Sequence, residues 1–172
     1  YIDGGANDEL TLRRNVEDFQ SIRVRQHVMR DVSDIDTSTT LLGETVAMPV
    51  VLAPVGMAGL YSRRGELQAM RASDVAGIPF TLSTLGICSP EELRAQAKKP
   101  FWFQQYMIRD RKAVRSILER AMANGCTTLI FTVDMPVAGM RYRDTRNGML
   151  TDDVSSRLGR AWQLGQRPRW LY

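Results

Sequence analysis

A hydroxyl, a carboxylate and two guanidinium groups, from Thr132, Asp134, Arg141 and Arg143, follow one another within residues 132–144 (TVDMPVAGMRYRD). The run comes directly after an apolar, strand-like stretch, and an acid followed by two arginines suits an anionic substrate. Ligand-binding groups in α/β proteins collect where buried strands end. Three junctions upstream have the same character: Pro54, Val55 and Gly56, then Ser83 with Thr84, then Gln104 with Tyr106. Each closes a short apolar run with a small, hydroxyl-bearing, amide-bearing or phenolic residue.

The elements that must position these groups are legible as an alternation. Residues 49–53 (PVVLA), 79–82 (PFTL), 101–106 (FWFQQY) and 128–133 (TLIFTV) read as buried strands. Between them lie three helical segments. Residues 65–75 carry Leu67, Met70, Arg71 and Asp74 at helical spacing and stop at Gly77 and Pro79. Ser89 followed by Pro90, Glu91 and Glu92 is a helix start, with a capping hydroxyl, proline in the first turn and acids at the positive end of the macrodipole. Residues 111–124 place Val114, Ile117, Leu118 and Ala121 on one face before Gly125. Strands alternating with helices imply a parallel sheet of right-handed βαβ units. The first strand leads into Ala-Pro-Val-Gly-Met-Ala-Gly at 53–59, which lacks the G-x-G-x-x-G of a doubly wound dinucleotide fold. A (β/α)₈ barrel, with ligand residues at the C-terminal ends of several strands, fits all four junctions. Four strands close only half of such a barrel, so a complementary half is expected from elsewhere.

Composition narrows the class. The chain has 172 residues, 44% of them hydrophobic, enough for a real core, and a net charge of +4. Residues 141–172 hold seven Arg and three Asp, so all of the net charge belongs to the tail and the rest balances at zero. That distribution excludes a nucleic-acid-binding domain with a basic face throughout and points to an anionic partner for the tail. Cys88 and Cys126 match neither a metal-ligand spacing nor a disulfide framework, so both are expected as core thiols in a reducing compartment, with no metal site. No stretch has the roughly 20 apolar residues of a transmembrane helix. The tail 150–172 reads as an insertion after the fourth strand: Val154, Leu158, Ala161 and Trp162 share a helical face, and Trp162, Trp170 and Tyr172 interleave with Arg167 and Arg169. Such a segment suits an anionic membrane surface, and a surface loop or lid is its alternative.

Five motifs in order, YIDGGANDELTLRRN (1–15), MPVVLAPVGMAGLYSRRGE (48–66), IPFTLST (78–84), FWFQQY (101–106) and TLIFTVDMPVAGMRYRD (128–144), resemble the N-terminal half of the FMN-dependent L-2-hydroxy acid dehydrogenase and oxidase family. Within that family they are similar to the bacterial membrane-associated L-lactate dehydrogenases. The resemblance implies the first four βα units of a (β/α)₈ barrel over 1–149 and an anchoring insertion over 150–172. It implies an oxidoreductase, most simply one taking L-lactate to pyruvate with hydride passing to the flavin, although a carbanion route suits the same residues. Mandelate dehydrogenases and glycolate or lactate oxidases share the framework. A half-barrel acting only as a binding module is the non-enzymatic alternative.

The resemblance also distributes roles. Pro54, Val55 and Gly56 correspond to the loop beside the flavin ring, and Ser83, Gln104 and Thr132 to side chains on the ring's polar edge. Arg141 and Tyr1 correspond to groups that hold the substrate carboxylate, Tyr106 to one near the hydroxyl or keto oxygen, and Leu85 to a position that varies with substrate. Asp134 corresponds to the acid that orients the catalytic histidine. Arg143 has no matching role and is expected on the surface. His27, the one histidine, lies away from every strand end, so the resemblance assigns the catalytic histidine, a second arginine, a flavin-proximal lysine and the phosphate loops to the complementary half. It further implies a quinone or respiratory-chain electron acceptor, or dioxygen for an oxidase. A homo-oligomer at the cytoplasmic face of the inner membrane completes the expectation.

Overall fold

The computed structural model describes residues 3–134, 137, 139–148 and 152–168. They fall into two compact units, one spanning residues 34–135 and the other combining 1–33 with 136–172.

The first unit is built on three parallel strands. An antiparallel hairpin of β1 (Thr39–Leu41) and β2 (Glu44–Val46) comes first. Then follow α1 (Gly65–Ala76), β3 (Thr81–Ser83), α2 (Pro90–Arg94), β4 (Phe101–Tyr106), α3 (Arg111–Ala123) and β5 (Cys126–Thr132). The sheet order is β3-β4-β5, parallel throughout, so each neighbouring pair is joined by a helical crossover. Local chemistry fixes the helix ends. Gly77 at φ 70 terminates α1 in the left-handed region. Ser89 and Glu92 close a reciprocal capping box on α2 with Pro90 in its first turn. Asp110 caps α3 by accepting from the amides of Lys112 and Ala113 at 2.9 and 3.1 Å. Arg120 of α3 grips Glu91 of α2 through two 2.8 Å bonds, which hold that carboxyl at about 2.

Side chains along the strands alternate between two environments. Phe80, Leu82, Phe101 and Phe103 pack with Leu67 and Met70 of α1, Leu93 of α2 and Ala121 of α3, together with Cys88 and, more loosely, Cys126. The opposite face carries Thr81, Ser83, Trp102 and Gln104, all buried. Glu44 of the hairpin seals the N-terminal end of that face, accepting from Trp102 Nε1 at 3.1 Å and from Thr127 Oγ1 at 2.6 Å. The free edge of the sheet is β5, where Leu129 and Phe131 stay 51% and 44% exposed, as expected of a strand whose next neighbour lies outside these residues.

Expected boundaries shift in three strands, the one expected at 79–82 running over Thr81–Ser83. The strand expected at 49–53 is reduced to one parallel bridge, Leu52 with Phe80, supported by Leu52 N to Pro79 O at 3.0 Å and Thr81 N to Leu52 O at 3.1 Å. Pro49 and Pro54 bracket it without N–H groups, so no longer ladder forms at that edge. The strand expected at 128–133 begins earlier, at Cys126, because a bulge between Phe101 and Trp102 accommodates an extra residue. Leu93 is fully buried under this sheet, so Leu93→Ala is expected to cost about 2–5 kcal/mol and move the urea-unfolding midpoint of the complete protein down. An unchanged midpoint would remove Leu93 from the core.

The second unit contains α4 (Leu10–Ser21), α5 (Tyr142–Arg146) and α6 (Val154–Gly165). Its two chain segments are tied by Asn7 N to Met140 O at 2.7 Å. Arg143 adds ion pairs to Asp3, at 3.1 Å, and to Glu9. Arg143, expected on the surface, is partly exposed and doubly paired. Val154, Leu158 and Trp162 do share an exposed face of α6. Arg157 is held by Asp152 through bonds of 2.9 and 2.7 Å, and Arg160 by Gly148 O at 2.7 Å. Among the described residues no helix is long and apolar enough to cross a membrane.

Candidate functional site

Three polar side chains from consecutive strands meet at the C-terminal end of the sheet. Ser83 ends β3, Gln104 lies beside it in β4, and Thr132 ends β5. The parallel register sets Ser83 opposite Gln104, and the two-residue period puts Thr132 on the same side. The Ser83 hydroxyl donates to Gln104 Oε1 at 3.1 Å, and Gln104 Nε2 donates to Thr132 Oγ1 at 2.7 Å. The backbone supports the row, since Leu85 N donates to Ser83 Oγ at 3.2 Å and Thr84 N to Gln104 Oε1 at 3.3 Å. Gln104 is 2% exposed and Ser83 5%, so these bonds are made away from bulk water, where a fixed polar network is strongest. The amide orientation leaves Gln104 a second N–H, and Thr132 keeps its hydroxyl hydrogen.

The loop from Pro54 to Gly56 borders this row. Pro54 and Gly56 are half-buried and Val55 is exposed. A Cβ added at Gly56 would lie 3.3 Å from Leu85 Cβ and 4.0 Å from Ser83 Oγ, so glycine here permits close approach of the two strand-end loops. Met57 N donates to Leu85 O at 2.9 Å across the same gap. Tyr106 is half-buried at the end of β4, and its amide donates to Thr84 Oγ1 at 3.3 Å. Thr84 in turn donates to Gln104 O, which pins the end of β3 to β4. Asp134 is exposed two residues past Thr132, in the bend after β5.

Arg141 belongs to the other unit, at the start of α5, and its Nε donates to Asp144 Oδ2. Asp144 is 2% exposed, and the Arg141 hydrogen bond and charge lower its carboxyl below the ordinary range against the opposing effect of burial. A buried acid on its Nε fixes the guanidinium plane. Tyr1 lies outside the described residues, as do Trp170 and Tyr172 of the tail. His27 is exposed. The structure thus brings Pro54, Gly56, Ser83, Gln104 and Thr132 into one neighbourhood, with Tyr106 at its edge. Asp144 and Glu44 went unnoticed in the sequence, because an isolated acid carries no signal of the partner that folding supplies.

A family model described as FMN-dependent dehydrogenase matches residues 1–172. A solved monotopic membrane protein, (S)-mandelate dehydrogenase, is 34% identical with TM-score 0.84, over 97% of this chain and 44% of its own. A soluble mutant of the membrane-associated (S)-mandelate dehydrogenase from Pseudomonas putida is 37% identical with TM-score 0.80, over 84% of this chain and 41% of its own. A mandelate oxidase is 36% identical with TM-score 0.80, over 88% of this chain and 44% of its own. The chain therefore spans less than half the length of these structures. Two variants of that oxidase carry an arginine-to-leucine and a tyrosine-to-phenylalanine change, separated by the same number of positions as Tyr106 and Arg141 here.

Proposed function

We propose, from the premise that this chain belongs to the FMN-dependent dehydrogenase family and supplies part of its (β/α)₈ barrel, that the complete protein oxidises a small L-2-hydroxy acid, L-lactate, to its 2-keto acid. The observation that carries this reading is the hydrogen-bonded row of Ser83, Gln104 and Thr132 across three consecutive strands near their C-terminal ends. The remaining Gln104 N–H and the two hydroxyls suit a ring edge of alternating carbonyls and nitrogens, and Gly56 leaves room for main chain to lie against the ring. These residues fit FMN, which when bound supplies the hydride acceptor.

Around it the chain's own groups divide the work. Ser83, Gln104 and Thr132 hold the ring edge, with Pro54, Val55 and Gly56 beside it. Arg141, its plane fixed by Asp144, binds the substrate carboxylate through a two-pronged contact, assisted by Tyr1. Tyr106 hydrogen-bonds the hydroxyl as it becomes a carbonyl. Asp134 holds a histidine from the complementary half in the tautomer that removes the hydroxyl proton. The open β5 edge, with Leu129 and Phe131 exposed, is where that complementary half joins.

Leu85 supports lactate. It is 52% exposed beside Gly56, and a modest aliphatic group there leaves space for a methyl substituent. The mandelate enzymes among the similar structures favour a second reading, an (S)-mandelate dehydrogenase or oxidase. The exposed Val154, Leu158 and Trp162 face of α6 supports peripheral attachment to the inner membrane over residues 150–172, with a quinone as acceptor, in a homo-oligomer. Asp152 engages both Arg157 and Arg160, one carboxylate for two guanidinium groups, so the apolar face would act together with the tail's remaining positive charge. The purified complete protein is expected to be yellow and to bleach anaerobically with L-lactate faster than with (S)-mandelate. Faster bleaching with (S)-mandelate would select the second reading, and a colourless protein would overturn both.

A further inference from the structure

Outside the polar row, a buried carboxylate lies against the strand-end loops. Glu66, in the first turn of α1, is 2% exposed. Its Oε1 accepts from Ile87 N at 2.9 Å and from Gly59 N at 3.3 Å. Ile87 belongs to the loop after β3, which carries Leu85, and Gly59 to the loop that carries Val55 and Gly56. One oxygen therefore fastens both loops, and Oε2 has no hydrogen-bond partner. Burial alone pushes this carboxyl up, yet the amides of Ile87, Glu66 itself and Gly59, with the Cys88 thiol alongside, together lower it. A carboxylate is an expensive group to bury for a tie made through a single oxygen.

The loop it fastens needs holding. Met57 and Arg64 both occupy the left-handed region, at φ 55 and 57, a conformation that non-glycine residues adopt at a cost. Gly59 leaves no slack, because an added Cβ would meet Ile87 Cβ at 3.1 Å and Glu66 Oε2 at 3.2 Å. The Met57 to Leu85 backbone bond joins the same two loops nearer the sheet.

We propose that Glu66 is a positioning residue: by bridging Gly59 and Ile87 it sets the gap between the two strand-end loops, and so the approach of Gly56 and Leu85 to the flavin. The proposal rests on the reading that these loops flank FMN. Reach and an accepting oxygen matter here, and charge does not.

The test uses the complete holoprotein with Glu66→Gln, which keeps the acceptor, and Glu66→Asp, which keeps the charge but is one methylene short. Glu66→Gln is expected to hold FMN within about twofold of wild type with an unshifted visible flavin spectrum. Glu66→Asp is expected to bind FMN about tenfold more weakly, the loss of one or two buried hydrogen bonds from the loop amides, with a shifted spectrum and lower kcat at similar KM. Gly59→Ala, which wedges the loops apart with Glu66 intact, should reproduce the Asp phenotype and keeps the question answerable if Glu66→Asp fails to fold. Wild-type FMN affinity and spectrum in Glu66→Asp and Gly59→Ala would overturn the proposal, as would loss in Gln with retention in Asp. A wild-type protein without flavin would instead overturn the functional reading beneath it.

Discussion

Replacing Arg141 by lysine in the complete protein is expected to raise KM for the 2-hydroxy acid by roughly 10–100-fold while FMN stays bound. The magnitude follows from geometry. The Arg141 Nε is committed to Asp144, whose carboxylate is buried, so the guanidinium is held in one plane before any substrate arrives. A planar fork can keep that acid on one edge and present parallel N–H groups on another, whereas a lysine ammonium is a single point of charge that must choose. The substitution also leaves Asp144 less well compensated. Its folded pKa lies below the ordinary value, so the pair stabilises the fold above that ordinary value, and the contribution is lost as pH falls through the lowered one. Arg141→Lys is thus expected to unfold at higher pH during acid titration than wild type. Arg143→Lys is the control: its partners are Asp3 and Glu9, so it should lower thermal stability and leave KM unchanged. Unchanged KM in Arg141→Lys, measured by steady-state kinetics, would take Arg141 out of the substrate site.

Arg141 and Arg143 also mark the limit of what sequence alone conveys. Both are arginines two positions apart in one apolar-to-polar run, and composition cannot separate them. Folding does, by giving Arg141 a buried neighbour three residues on and Arg143 partners from the far end of the chain. Helix boundaries were legible because their signals are local: Ser89, Pro90 and Glu92, or Gly77 followed by Pro79, act within a single turn. Ser83, Gln104 and Thr132 were legible as strand ends, and the parallel register then determines that they touch. The β1-β2 hairpin was not legible. Its turn places Leu42 and Gly43 at φ 47 and 86, and a leucine at the first turn position gives none of the usual Asn-Gly or Asp-Gly warning. Glu66 carried no signal in the sequence beyond closing the motif at 48–66, since its two amide partners come from loops 7 and 21 residues away.

Asp134→Asn is expected to have the largest effect on turnover, lowering kcat by about 10²–10⁴ with little change in FMN affinity. The residue lies two positions past Thr132, in the bend after β5, and it is exposed in this chain, open to a partner from the complementary half. A carboxylate in that position does two things for a histidine base: it accepts the ring N–H that fixes the reactive tautomer, and it stabilises the imidazolium formed when the substrate hydroxyl is deprotonated. Asparagine keeps the size and can turn its NH₂ toward the ring, favouring the wrong tautomer. Loss of the negative charge also lowers the histidine pKa, so the acidic limb of the kcat/KM profile should move to lower pH even as its plateau falls. A residue that merely closes the turn after β5 would behave differently, lowering the melting temperature of Asp134→Asn with kcat and the pH profile untouched. The pH profile therefore decides the role: an acidic limb at the wild-type position, with kcat retained, would leave Asp134 as a turn residue and return the orientation of the base to the complementary half of the barrel.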